Sequence, residues 1–469
     1  MNASSLLLWL EVLVGFGMLL GAGHALLRQR DGRTSAFWVA LIFFSPGVGL
    51  LFYLLFGVNF IRRRGRQYRG RIGPAYDQAE DCDPTFAGED RAMALALDRI
   101  SRFGFCPGNT VDCFLNGDEA MPSMLAAVEG ARHRIWLCTY IFEARGIGAE
   151  WVEALGRAVR RGVQVRVMVD DAGTRYSWPS VIAALERRGV MARRFMPNHL
   201  LLRLLTLNLR NHRKLLLVDG EVGFTGGMNI REGNMLQRQP QHPVRDIHFR
   251  VKGPVLLQMQ QVFIEDWQFC SGERLEVGQH EPAAQDGGGY ALGIVDGPDE
   301  DLEVMPAALF AALSGARQRV WLLTPYFLPT PMLLAALKGC AARGVEVLLV
   351  TPQSNNIPPV GWAARGYYEG LIDSGCRVLE SPPPFDHGKM LLIDRHWSFI
   401  GSTNWDPRSL RLNFEFNLAC HDAGLVQRLQ TVFIARMQES SELSLDGLQA
   451  DGTAVRLRSA LARLFEPML

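Results

Sequence analysis

The stretch Asn211-His212-Arg213-Lys214-Leu215-Leu216-Leu217-Val218-Asp219, running on to Gly226-Gly227-Met228-Asn229, decides the reading of this chain because it occurs twice. The second copy is His387-Gly388-Lys389-Met390-Leu391-Leu392-Ile393-Asp394, running on to Gly401-Ser402-Thr403-Asn404. In both copies six residues separate the Asp from the first glycine. The apolar run after each Lys reads as a buried strand, and residues two apart in an extended chain share a face, so each His and its Lys point the same way. Of the 49 cationic side chains only four are lysines, and two of those four sit in these copies. Arginine serves nearly everywhere else, so these two positions require a compact ammonium rather than a planar guanidinium.

Around the motifs the chain repeats itself more loosely. Gly130-Ala-Arg-His-Arg-Ile-Trp-Leu137 is echoed by Gly315-Ala-Arg-Gln-Arg-Val-Trp-Leu322, each ending a helical pattern and starting a strand. Ala154-Leu155 with Arg161-Gly-Val-Gln-Val165 is echoed by Ala336-Leu337 with Arg343-Gly-Val-Glu-Val347: a helix, a glycine stop, then a buried strand. Each half is therefore a β-α-β unit leading into its own His-Lys-Asp strand. Residues 271–301, with three consecutive glycines and several acids, read as the linker between halves.

The first 61 residues differ in kind. Residues 6–27 are apolar except for Glu11 and His24, and residues 36–61 carry no charge, so both reach the roughly 20 residues that cross a bilayer. No basic region precedes the first segment and a second follows at once, which argues against a cleaved signal peptide. Ser45-Pro46-Gly47 interrupts the second segment and allows a kinked span or a re-entrant hairpin; two spans are expected. Arg28, Arg30 and Arg33 lie between the segments, and Arg62, Arg63, Arg64, Arg66, Arg69 and Arg71 follow the second. The larger cluster belongs on the cytoplasmic side, and with it everything after residue 61. These arginines either attract anionic lipid or serve only as a stop-transfer flank.

The expected organisation is a transmembrane helical hairpin (1–61), a basic juxtamembrane connector (62–110), a first half (111–275) and a second half (276–469). Residues 200–209, seven of them leucine, read as a buried element or as a membrane-facing rim beside the motif. The tail, 454–469, has a helical apolar stripe expected to pack on the second half. A net charge of +1 argues against a generic nucleic-acid binder. The eight cysteines lack any CxxC or zinc-ligand spacing, so neither disulfide nor metal is expected.

The motifs supply the needs of phosphodiester displacement. One imidazole, neutral near pH 7, attacks phosphorus, while the other, protonated, gives its proton to the leaving oxygen. Lys214, Lys389 and the amides of Asn229 and Asn404 hold the non-bridging oxygens. Each histidine needs an acceptor on its other nitrogen. Glu415 is expected to serve in the second half and Asp246, within Arg245-Asp246-x-His248, in the first. Asp219 and Asp394 complete the motifs, and their position past the buried strand suits a structural part better than proton transfer. Ser402 offers a hydroxyl where the first copy has Gly227, so the two copies are not expected to play equal roles.

The paired motifs resemble the phospholipase D superfamily, in which two such copies meet on a pseudo-two-fold axis. The finer likeness is to bacterial cardiolipin synthases, carried by Ser45-Pro-Gly-Val-Gly49, Tyr53-Leu-Leu-Phe-Gly57, Asn211-His-Arg-Lys214, Asp266-Trp267, Thr324-Pro-Tyr-Phe327, the run from Gly401 to Glu415, and Arg463-Leu-Phe-Glu-Pro-Met-Leu469. The resemblance implies an α/β fold of two homologous α/β/α halves forming one catalytic unit behind a membrane helix pair. It also implies phosphatidyl transfer between two phosphatidylglycerol molecules through a phosphatidyl-histidine, at the cytoplasmic face of the inner membrane, without cofactor, metal or nucleic acid. His212 is the expected nucleophile. A hydrolytic phospholipase D, a nuclease and a non-enzymatic membrane scaffold are the rival readings.

Overall fold

A computed structural model describes residues 3–28, 32–57, 86, 88, 90–196, 210–277, 282–298 and 301–466. The leucine-rich stretch 200–209 and the arginine cluster after residue 61 lie outside them. The chain divides into an amino-terminal helical unit and a catalytic α/β unit.

The amino-terminal unit begins with the helix Ala3–Arg28, whose 26 residues reach about 39 Å at 1.5 Å per residue. Its stretch Glu11–Arg28 is long and apolar enough to cross a membrane, and Leu13, Phe16, Leu19 and Leu20 face outward. The second segment, expected as a second span, is not one continuous helix. Its helix, Gly32–Phe44, stops after 13 residues, about 20 Å, and the chain then turns at Ser45-Pro46-Gly47. The short helix Val48–Phe52 runs back along it. Gly49 lies so close that a Cβ there would stand 2.0 Å from the Leu41 carbonyl oxygen. Tyr53 returns to Trp38, with ring centroids 5.4 Å apart, and meets His24 Nδ1 through its hydroxyl at 2.7 Å. In one straight or kinked helix Trp38 and Tyr53 would be about 22 Å apart. The cause is local: proline cannot continue the helix, and glycine at 49 lets two backbones touch.

Among the described residues the catalytic unit is built on a sixteen-stranded sheet. Its centre is the antiparallel pair Cys106–Leu115 and Gly289–Asp296, the first strand of each half. Outward from Cys106–Leu115 come Ile247–Lys252, Val222–Gly226, Leu215–Val218, Arg134–Thr139, Gln164–Asp170 and Met191–Phe195. Outward from Gly289–Asp296 come Asn413–His421, Trp397–Gly401, Met390–Ile393, Arg319–Leu323, Glu346–Pro352 and Arg377–Ser381, the same plan repeated. The expected linker 271–301 thus holds a central strand. Its three glycines signal a turn, but the apolar run after them pairs on both sides.

Alternation along the strands covers both faces of the sheet. Ile135 and Leu137 enter a core with Trp151 and Leu155 from the helix Ile147–Arg160, while Trp136 faces the other way and stacks on Phe263 at 5.4 Å. The second half repeats this with Trp321 on Phe433 at 5.0 Å. The tail helix Thr453–Leu464 packs on the second half, its Arg463 lying over the Tyr367 ring.

The motif aspartates, which complete the motifs and whose position suits a structural part, stand at the far end of their strands, about 16 Å from the lysines. Asp219 accepts hydrogen bonds from the backbone N–H groups of Arg132, His133 and Arg134, all at 2.8 Å. Asp394 does the same for Arg317, Gln318 and Arg319. Both adopt a left-handed backbone, φ 55° and 52°, which short polar side chains tolerate. The echo between residues 130–137 and 315–322 has its reason here: each Gly-Ala-Arg-x-Arg turn is the partner of its motif aspartate.

Candidate active site

Two short strands assemble the site. Arg210–Asn211 pairs in parallel with Asn413 and Phe414, and the His212 N–H donates to the Phe414 carbonyl at 2.9 Å. Phe385–Asp386 pairs with Val244–Arg245, and the His387 N–H donates to the Arg245 carbonyl at 2.8 Å. Each motif is thereby laid against the other half. The two imidazoles face each other with centroids 6.5 Å apart and planes at 83°.

The carboxylates are crossed relative to expectation. Glu415, expected to orient the histidine of its own half, contacts Nδ1 of His212 at 3.0 and 3.1 Å. Asp246 contacts Nδ1 of His387 at 2.8 Å. The reason lies in the parallel cross-half pairing: each motif histidine sits beside the strand that carries the opposite half's carboxylate. In both cases the carboxylate takes Nδ1 and leaves Nε2 for the chemistry.

Ser402 also departs from expectation. It is fully buried and donates its hydroxyl to Glu415 at 2.5 Å, rather than offering it to a phosphate. Asn413 donates to the same carboxylate at 3.1 Å. At the equivalent position of the first half a Cβ on Gly227 would stand 2.4 Å from the Asp246 carboxylate. A side chain there and Asp246 cannot both keep their places. Asn229 uses its amide oxygen to accept from the Ile141 N–H at 3.0 Å. Asn404 is buried, and its amide oxygen has no hydrogen-bond partner among the described residues.

Lys214 donates to the His212 carbonyl at 2.7 Å, and Lys389 to the His387 carbonyl at 2.5 Å. They are 2% and 4% exposed, and among the described residues neither is within 4.0 Å of a carboxylate oxygen. Burial pulls Lys214 down to about 7, against the attraction of Glu415, and Lys389 down to about 8, against Asp246. Buried ammonium groups without an ion partner are costly unless an anion joins them.

Comparison with known proteins finds the same two-part organisation. Residues 124–267 and 309–437 match the family described as cardiolipin synthase, PLD-like domain, and residues 18–57 match the phospholipase D-nuclease N-terminal family. A probable cardiolipin synthase of Bacillus subtilis is 30% identical over 455 residues, 95% of this chain and 90% of that one. A cardiolipin synthase of Geobacillus kaustophilus is 30% identical over 457 residues, 94% and 90% of the two chains. The chain belongs to the cardiolipin synthase family. A crystal structure of a phosphatidylserine synthase of Haemophilus influenzae shares the fold, with a TM-score of 0.62, 15% identity, and coverage of 80% of this chain and 100% of that one.

In this cardiolipin synthase family member the two histidines are not electrostatic equals. Burial lowers both, and His387 is taken well below the ordinary histidine value by burial, Lys389 and the facing His212. Burial raises Asp246 to about 6, whereas Glu415, though buried, is held below its usual range by His212, Lys214 and Ser402. Nδ1 of His387 also stands 3.0 Å from the Lys389 ammonium, so it is shared between an acid and a base.

Other residues at the site had weaker signals in the sequence. Tyr140 lies edge-on to His212 at 5.4 Å and Tyr326 edge-on to His387 at 6.1 Å. Tyr326 lies in the quoted Thr324-Pro-Tyr-Phe327, while nothing local singles out Tyr140. Arg213, inside the first motif, is buried and paired with Asp266 at 2.5 Å, and also donates to the Glu415 carbonyl at 3.0 Å. His248 is buried and lowered to about 4 by burial, so it stays neutral beside Asp246.

Proposed function

We propose that this protein joins two phosphatidylglycerol molecules into cardiolipin and glycerol by two displacements at one phosphorus. His212 Nε2 attacks phosphorus and the bond to the glycerol oxygen breaks, with the leaving alkoxide taking its proton from His387 Nε2, which holds that proton once the substrate phosphate offsets the lysine charges that, with burial, keep the free imidazole neutral. The terminal hydroxyl of a second phosphatidylglycerol then returns that proton to His387, and its oxygen attacks phosphorus. The phosphorus–nitrogen bond breaks and His212 is restored. The observation that carries the reading is the pair of buried lysines, neither in an ion pair with a carboxylate, beside two facing imidazoles: two ammonium groups placed to take the non-bridging oxygens of a phosphodiester. His212 serves as the nucleophile because Glu415, ionised and held by Ser402 and Asn413, fixes the proton on Nδ1 and leaves Nε2 its lone pair. Asp219 and Asp394 support the fold of each half and take no part in proton transfer.

The test is incubation of the purified chain with labelled phosphatidylglycerol, separation of the lipid products, and acid-free peptide mapping of the trapped intermediate. Labelled cardiolipin with phosphate on His212 is expected. Phosphatidic acid as the sole product would make water the acceptor, and phosphate on His387 would reverse the assignment.

The same reading extends to the membrane. The first helix crosses the bilayer, residues 32–57 dip in and return, and both arginine clusters come to the cytoplasmic side with the catalytic unit. A single crossing places the two chain ends on opposite sides, whereas two crossings place them together. Reporter fusions at each end in living cells distinguish these, and a cytoplasmic signal from both would restore the two-span arrangement.

A further inference from the structure

Away from the catalytic histidines, Asp90, His396 and His421 converge although 306 residues separate Asp90 from His396. Asp90 opens the helix Asp90–Ile100, between the membrane segment and the first strand of the catalytic unit. His396 lies in the turn after the second motif aspartate, and His421 ends the strand Asn413–His421. His421 Nε2 is 3.0 Å and His396 Nδ1 3.3 Å from the same carboxylate oxygen of Asp90, and all three atoms lie within 4.8 Å of one another.

We propose that these three groups form a zinc site that fastens the connector helix to the second half. Ligands about 2.0–2.1 Å from a tetrahedral zinc ion stand about 3.3–3.4 Å apart, so the carboxylate–imidazole separations already approach those of a bound ion. The donor set, two imidazoles and a carboxylate, is one zinc accepts, and a water takes the fourth position. That position opens outward, because His396 is exposed while His421 is packed between Phe86 and Trp397, with centroids 5.0 and 4.8 Å away. The carboxylate is oriented from behind: the indole N–H of Trp397 donates to the other oxygen of Asp90 at 2.7 Å. Such an outer contact, holding a ligand while leaving its free oxygen to the ion, accompanies most metal carboxylates. The cysteine and histidine spacing could not show this site, since its ligands come from three distant places in the chain.

The site stands at the aspartate end of the second motif strand, about 16 Å along that strand from Lys389, so it takes no part in the displacement chemistry. Its role is mechanical. The connector arriving from the membrane is tied at Asp90 to the strands that carry Glu415 and Lys389.

The full chain in detergent, stripped with chelator and dialysed, is titrated calorimetrically with zinc chloride, and its melting temperature is followed in parallel. One equivalent with a micromolar or tighter dissociation constant is expected, together with a rise in melting temperature. His396→Ala, at an exposed position, is expected to weaken binding at least tenfold and to abolish the rise, while the His212→Ala and His387→Ala proteins bind zinc as the unaltered chain does. Cobalt substitution should give the intense visible bands of a tetrahedral site, lost in His396→Ala. No saturable binding by the unaltered chain would overturn the proposal. So would equal binding by His396→Ala, or loss of binding in the His212→Ala or His387→Ala protein, which would place the ion at the catalytic histidines.

Discussion

Beneath the first motif a buried ion pair runs from Arg213, within the motif, to Asp266 on the helix Leu256–Ser271. Beneath the second, the pair runs from Arg436 on the helix Ala423–Glu439 to Asp386, just ahead of the motif, at 2.7 Å. The signs are reversed: Asp266 and Arg436 hold equivalent helix positions, three residues after the aromatic that stacks on the strand tryptophan, whereas the motif partner follows the histidine in the first half and precedes it in the second. The fold therefore asks for a compensated charge at this junction and is indifferent to which element supplies which sign. The lysines are treated differently: among the described residues both halves keep a compact ammonium without a carboxylate ion pair, the charge that the proposed reaction uses to hold the phosphate. A third difference is graded. Glu415 with Ser402 makes an ionised, well-held acceptor for His212, whereas Asp246 with Gly227 makes a crowded one, raised to about 6, for His387.

The largest expected effect tests that grading. Glu415→Gln should lower kcat by about 10³–10⁴-fold, the order seen when a triad carboxylate is neutralised, because it releases the tautomer of the nucleophile. Asp246→Asn should cost less, about 10–10²-fold, because burial already raises that carboxyl to about 6 and makes its charge the less firmly held of the two, and it should let the phosphatidyl-histidine accumulate. Rates on labelled phosphatidylglycerol in mixed micelles measure both; equal losses would remove the distinction between the halves.

Lys389→Arg keeps the charge but substitutes a planar fork on a longer stem. Misplacing the phosphate by about 1 Å costs on the order of 10²-fold in rate. Near-normal turnover of this protein would show that charge alone suffices in the second half. Gly227→Ala should cost about tenfold in kcat, since the new Cβ displaces the Asp246 carboxylate that holds His387. Ser402→Ala lacks that clash and loses one hydrogen bond to Glu415, so the ordering of the two variants separates crowding from support.

The pH profile carries a sign. Lys214, at about 7, and Lys389, at about 8, act when protonated, so kcat/KM should fall as pH rises through that window, first through Lys214. One titrating group steepens to about tenfold per pH unit. A profile flat to pH 9 would mean that the lysines stay charged in the free enzyme. The smallest catalytic effect is expected at Asp219→Asn, which should leave kcat within about twofold. It weakens three backbone hydrogen bonds and should lower stability by about 1–3 kcal/mol, read by denaturant unfolding. Because Asp394 makes the equivalent contacts, Asp394→Asn should behave alike, the one place where the halves are expected to match.

Much of this molecule was legible before any coordinates. The doubled motif, its strand, the β-α-β units and the family resemblance all rest on local periodicity and residue chemistry, which a linear string displays directly. Even the structural part of Asp219 and Asp394 followed from counting residues past a buried strand. Pairing between distant segments is not displayed in that way. Only the tertiary structure decided that each histidine takes its carboxylate from the other half, because two-residue strands at 210–211 and 385–386 cross the axis between halves. It also decided that residues 289–296 form a central strand behind a glycine-rich turn, and that residues 32–57 double back. In these cases local composition permits more than one outcome, and contacts between residues far apart in the chain select one.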